Sequence, residues 1–355
     1  MTLAPELAPS PGPDVDPRTE LVRFTAGDGM ELTLQHVTSH HPRTRGPVLL
    51  VHGAGVRADI FRSPEPETVV DALLADGWDV WLENWRASID VPPNQWDLDQ
   101  AAVLDHPAAV RTVLEHTGAD TLKAVIHCQG SSSFALAAVS GLVPEVDTIV
   151  SNAMSLHPVV PAFSRLKIGR IAPIVDRFLD YVDPHWGVEP PRRLLERAVL
   201  RIVELGHHEC DSAVCHMVSF AYGAGFPALW SHENLSSGTH KWLSEEFGPV
   251  PFTFYAHMNR CISAGRLVTT GAFPELPADP VAGAPRTDAR FVLLAGRENL
   301  CFLPESQERT AEHLDRHAPG RHTLHLLDGY GHLDVFMGRY AARDVFPLIV
   351  EELAR

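Results

Sequence analysis

The strongest constraint on the fold is a run of consecutive apolar residues, Val48-Leu49-Leu50-Val51, that ends in His52-Gly53-Ala54-Gly55. A strand with one wet face alternates apolar and polar side chains, so a run without alternation belongs to a strand covered on both sides, as in a parallel sheet. Further strand-like apolar segments recur at residues 78–82, 122–126, 146–150, 291–296 and 322–327, of which 291–296 is likewise unbroken. Stretches of helical period at 68–76, 98–117 and 131–140 separate the earlier ones. Parallel neighbours need a crossover between them, so this alternation predicts an α/β fold with a mostly parallel, doubly wound sheet. Residues 21–24 and 31–37, joined through Gly27-Asp28-Gly29, read as two further strands in front of it.

The alternation stops at about His157. From there to about Arg286 the sequence is mostly helical in pattern, including 191–205, 213–222 and 239–247, before the last two strands and a closing helix near 341–353. A connection that long is rarely structureless, so it reads as a helical cap inserted before the last two strands. The predicted organisation is a disordered Pro-rich leader over 1–20, a core formed by 21–156 and 287–355, and a cap over 157–286. A chain of 355 residues has room for one such domain with its insertion.

Composition narrows the function. A formal net charge of −16 repels a phosphate backbone and argues against nucleic acid as a partner. No apolar run approaches the roughly 18 residues of a membrane span, and the acidic start lacks the basic and apolar regions of a signal peptide. Five cysteines cannot all pair, and a chain of this length does not need disulfides to fold, so a reduced, cytoplasmic setting is expected.

Three segments carry chemistry. The strand at 122–126 runs through His127-Cys128-Gln129-Gly130-Ser131 into a helix, a strand–turn–helix elbow that exposes its central residue as a nucleophile. Gly130 satisfies one of the small flanking positions, whereas Ile126 stands where the other is expected. His52-Gly53-Ala54-Gly55 ends an earlier strand, where such a loop supplies the N–H of Ala54 to an oxyanion beside the N–H of Gln129. Gly329-Tyr330-Gly331-His332 follows the last strand, which makes His332 the candidate base for Cys128.

From about residue 45 to 350 these motifs resemble the α/β-hydrolase superfamily. Asp79-Val80-Trp81-Leu82-Glu83-Asn84-Trp85-Arg86 and Gly331-His332-Leu333-Asp334-Val335-Phe336 are similar to its acid-lipase branch. Glu209-Cys210-Asp211-Ser212-Ala213-Val214-Cys215, His232-Glu233-Asn234-Leu235 and Thr239-His240 resemble cap segments of bacterial hydrolase domains found fused to, or beside, cholesterol-oxidase-like flavoenzymes. With no dinucleotide fingerprint, this chain corresponds to the hydrolase part. Its cysteine is similar to the nucleophile of polyhydroxyalkanoate synthases and dienelactone hydrolases. The superfamily sets its acid three residues after the glycine that ends the penultimate strand. Here that residue is Asn299, preceded by Glu298, and the segment after 146–150 (Ser151-Asn152-Ala153-Met154) offers no carboxylate. Either Asn299 orients His332 as a neutral acceptor or Glu298 reaches it. Position favours Asn299, because a Cys–His pair depends less on a buried anion than serine does.

A cysteine acyl-enzyme is a thioester, so Cys128 points to esterase, thioesterase or acyltransferase chemistry on a small acyl substrate, with no cofactor and no metal. Elimination of an acyl group on the same scaffold is the lyase-type alternative. Arginines at helical spacing within 190–201 offer a face to an acidic thioester carrier, although a solvated cap helix is the plainer reading. Two rival classes are a binding protein that has lost activity and a zinc protein built on His207, His208, Cys210, Cys215 and His216. The spacing of that cluster matches no usual ligand pair.

Overall fold

The computed structural model describes residues 18–40, 42–154 and 156–355. Most of the segment read as a leader therefore lies outside the described residues, but Arg18 to Glu20 already belong to the first strand. In chain order the strands are β1 (Arg18–Thr25), β2 (Glu31–Thr38), β3 (Pro47–Val51), β4 (Asp79–Asn84), β5 (Leu122–His127), β6 (Val146–Asn152), β7 (Tyr181–Val182), β8 (Val250–Pro251), β9 (Arg290–Gly296) and β10 (Thr323–Leu327). Eight of them form one sheet in the order β1-β2-β4-β3-β5-β6-β9-β10. The pairs β1·β2 and β2·β4 are antiparallel, and every other pair is parallel. Val48 to Val51 are wholly buried at the centre, as a run without alternation requires.

Local sequence sets the helix boundaries. Thr68 and Asp71 form a reciprocal capping box that opens helix Val69–Ala75. Asp97 and Gln100 do the same before the helical stretch that ends in His106–Thr117, which stops on Gly118 at φ 68°. The helix after β5 starts at Cys128 itself, three residues earlier than the periodicity indicated, and runs to Val139.

The segment between β6 and β9 is helical, as the sequence reading expects, and includes Leu194–Gly206, Ala213–Tyr222 and Ser237–Trp242. It also contains helix Phe252–Ala264 and the small antiparallel ribbon β7·β8, which the sequence reading did not resolve. This segment meets the sheet at the loops that follow β3 and β10: the Tyr222 hydroxyl donates to the Ala54 carbonyl at 2.8 Å, and the Leu229 carbonyl accepts from the His332 N–H at 2.7 Å. Among the described residues, no helix is long and apolar enough to cross a membrane.

The 79–86 motif braces the sheet beneath the site. Trp85 Nε1 donates to the His52 carbonyl at 2.9 Å, and the buried imidazole of His106 bridges Glu83 (3.0 Å) and Ser133 (2.7 Å). Arg86 donates to Asp105 at 2.7 Å, with both side chains buried.

Candidate active site

Cys128 sits where β5 turns into its helix, with φ at 56°. A non-glycine residue in this region costs about 1–3 kcal/mol, and it persists only where the surroundings leave no alternative. Two glycines create those surroundings. A Cβ at Gly130 would fall 2.1 Å from the His52 carbonyl oxygen, and a Cβ at Gly53 would lie 2.9 Å from Cys128 Cβ and 3.3 Å from its sulfur. Bare backbone at both positions lets the elbow close against the loop after β3. Ile126, the departure from the usual pattern, is wholly buried within β5 opposite Val51 and Ser151, so the core takes its side chain without disturbing the turn.

His332 meets Cys128 in a cleft of about 260 Å³ lined by Gly53, Ala54, His127, Cys128, Tyr222, Phe247 and His332. The ligand-type atoms of His127, Cys128 and His332 all lie within 4.8 Å of one another. The Cys128 thiol is held well below its ordinary value. A hydrogen bond from Cys301 is the largest cause, joined by the nearby charge of His332 and by the Gln129 N–H, and together these outweigh burial. Cys301 is pushed up correspondingly by its bond to the Cys128 sulfur and by burial. Burial pushes His127 well below the usual histidine value and His52 down to about 3, so both rings are neutral. The Gln129 backbone N–H approaches the Cys128 sulfur, and Ala54 lines the same cleft.

Neither candidate for the third member hydrogen-bonds the His332 ring in the structure. Asn299 is buried, but its Oδ1 accepts from the backbone N–H groups of Cys301 (2.9 Å) and Phe302 (3.2 Å). Its amide oxygen is therefore occupied in shaping its own loop. Glu298 is exposed and borders an open surface groove with Trp230 and His232. Among the described residues neither ring nitrogen of His332 has a hydrogen-bond partner.

Asn152 stands at the end of β6 instead. Its Nδ2 donates to the His332 carbonyl at 3.1 Å and to His127 Nδ1 at 3.0 Å. A carbonyl can only accept, so the first bond fixes the orientation of the amide, and the second then places the His127 proton on Nε2. Cys301, Asn152, His127 and Tyr222 were not identified as site residues from the sequence. The available signal in the sequence is Asn152 at the second acid position, an amide where the pattern expects a carboxylate.

Apolar space extends from the cleft. A cavity of about 340 Å³ is lined by Gln129, Tyr222, Phe254, Tyr255, Met258, Cys301 and Phe302. It shares Ile168, Ala221 and Tyr255 with a second cavity of about 530 Å³, bordered by Val175, Leu179, Trp186 and Phe220. Lys167 also borders the second cavity, but its ammonium is spent on the backbone carbonyls of Phe220, Ala221 and Gly223.

A family model described as the alpha/beta hydrolase fold matches residues 46–184. Triacylglycerol lipase 1 of Arabidopsis thaliana is 24% identical over 353 residues, covering 91% of this chain and 84% of that protein. Sterol esterase 2 of Saccharomyces cerevisiae is 27% identical over 157 residues, covering 37% of this chain but only 29% of its own length. Among solved structures, a lipase in its open form superposes with a TM-score of 0.58 at 16% identity over 95% of this chain and 99% of that one. A thermophilic esterase from Thermogutta terrifontis gives 0.53 at 16% identity, over 94% and 98%. The chain has the α/β-hydrolase fold, and these similarities support its place in the α/β-hydrolase superfamily.

Proposed function

We propose that this protein is an esterase-type hydrolase in which Cys128 attacks the carbonyl of an ester or thioester bearing an apolar acyl group. The carrying observation is the strained elbow that holds Cys128 in one cleft with His332. In this reading the Cys128 thiolate rests against protonated His332 and adds to the substrate carbonyl. The oxyanion forms between the N–H groups of Ala54 and Gln129, His332 gives its proton to the leaving alcohol or thiol, and a thioester on Cys128 remains. Water deprotonated by His332 then releases the acid, or another acceptor deprotonated in the same way carries the acyl group off, and Cys128 is freed in either case. The apolar cavities beyond Gln129 supply room for the acyl group, and Ile171, exposed at the edge of the outer one, marks an apolar entrance. The lipase and esterase names of the relatives agree with an ester as substrate.

Intact-mass analysis after incubation with a panel of acyl-thioesters and aryl esters of increasing chain length tests the reading. The expected result is an acyl adduct on Cys128 that is absent from Cys128→Ala, with turnover rising with acyl length. Turnover retained in Cys128→Ala would overturn the assignment of the nucleophile.

A further inference from the structure

Away from the cleft, the cap segment gathers a second set of soft ligands. Cys210 precedes helix Ala213–Tyr222, Cys215 lies in its first turn, His232 follows in the next connection, and His240 is on helix Ser237–Trp242. Their sulfur and ring-nitrogen atoms all lie within 4.8 Å of one another. Two thiolates and two imidazoles converging from four points of the chain form the donor set of a closed tetrahedral zinc site.

The spacing fits the ion. With Zn–S at about 2.3 Å and Zn–N at about 2.0–2.1 Å, a tetrahedral angle puts a sulfur and a nitrogen ligand roughly 3.5 Å apart. Cys215 Sγ and His232 Nε2 are separated by 3.5 Å. The partners outside the cluster fit as well. Glu209 accepts from His232 Nδ1 at 3.0 Å, which leaves the Nε2 lone pair facing the sulfurs, and a carboxylate on the far nitrogen is the usual support of a zinc-bound histidine. His240 Nε2 is buried with no hydrogen-bond partner. The sequence reading set zinc aside because the spacing of His207, His208, Cys210, Cys215 and His216 matches no usual ligand pair, whereas the folded chain brings His232 and His240 to the two cysteines. His207 and His216 also approach Cys210, each with its second ring nitrogen buried and unpartnered, but that group has three donors and excludes Cys215, whereas Cys210, Cys215, His232 and His240 supply all four ligands of a closed site.

We propose that Cys210, Cys215, His232 and His240 bind one zinc ion as a structural clip. Four protein ligands leave no open position for chemistry, so the consequence of binding is mechanical. The clipped connection carries Leu229, whose carbonyl holds the His332 N–H, and Asn234, whose amide donates to Asp334 and to the Gly329 carbonyl at 2.7 Å each. The ion would therefore fasten the strap that positions the histidine loop. This placement does not depend on the reaction proposed above.

The test uses the full chain purified without a polyhistidine tag. Elemental analysis should find zinc in stoichiometric amount. The cobalt(II)-exchanged protein should show the intense visible bands of tetrahedral coordination together with thiolate-to-cobalt charge transfer. Cys215→Ser and His240→Ala should lose the metal, whereas Cys128→Ala and His207→Ala should keep it. Substoichiometric metal in the wild type, a six-coordinate cobalt spectrum, or a Cys210–Cys215 disulfide seen as a mass lower by two hydrogens would overturn the proposal. So would metal that survives Cys215→Ser or leaves with His207→Ala. If the ligand variants fail to fold, the wild-type cobalt spectrum still decides.

Discussion

The rings of His127 and His332 lie 4.8 Å apart, centroid to centroid, and the side chain of Asn152 donates to the first ring and to the backbone of the second. His127 is neutral through burial, so the group beside His332 that can carry a balancing charge is the sulfur of Cys128. A triad normally leaves that task to a carboxylate. In the proposed reaction Cys128 itself would provide the anion, which suits a thiol and would not suit a serine.

This arrangement predicts the pH dependence of alkylation. A depressed thiol pKa means that the thiolate persists at pH values below its ordinary titration and is protonated only when pH falls through the lowered value. Iodoacetamide should therefore modify Cys128 at undiminished rate from alkaline pH to well below the ordinary thiol range of about 8.5. Peptide mapping should show it ahead of Cys261, whose thiol is pushed up to about 11 by burial. A midpoint for Cys128 at or above the ordinary thiol value would contradict the ion-pair state.

Replacing the histidine tests the other half of the pair. In His332→Ala the thiol loses a favourable neighbouring charge, so the alkylation midpoint should move up. Turnover of an aryl ester should fall by about 10³-fold or more, as expected for loss of a member of a nucleophile–base unit. A rate loss without a shift of the midpoint would mean that His332 acts on the leaving group alone.

The carboxylate beside the expected acid position should prove dispensable. Glu298 is exposed, so Glu298→Gln should stay within about twofold of wild type in kcat/KM, inside the scatter expected of a surface change. Asn299→Ala should instead lower stability by about 1–3 kcal/mol, because two backbone N–H groups lose their acceptor. Any accompanying rate loss would follow from displacement of Cys301. A tenfold loss confined to Glu298→Gln would restore a Cys–His–Glu triad.

The parallel sheet was legible because Val48 to Val51 admit no wet face. The elbow was legible because Gly130 must let a helix pass a carbonyl oxygen. His332 was marked by its Gly-flanked loop after the final strand. What stayed hidden was how side-chain valences are spent. Asn299 occupies the right position, yet its oxygen is consumed by its own loop, a matter of backbone geometry that residue counting does not register. Cys301 and the His232–His240 pair reach their partners only through tertiary folding, so a search within ten residues of Cys210 could not find them.

The last prediction concerns the brace under the site. Arg86 is 2% exposed and donates to Asp105, which is 0% exposed, through Nε and Nη2 at 2.7–3.0 Å. It also reaches Asp28, 38% exposed, at 3.1 Å. The two carboxylates bond the same guanidinium at similar distances but differ in what water can replace. Asp105→Ala leaves a buried cation without its main counter-ion and strips the Arg86 backbone N–H of its acceptor, so chemical denaturation should show a loss of about 3–5 kcal/mol. Asp28→Ala removes a partner that solvent can substitute, and it should cost less than about 1 kcal/mol. Equal losses in the two variants would mean that Asp28, not burial at Asp105, holds Arg86 in place.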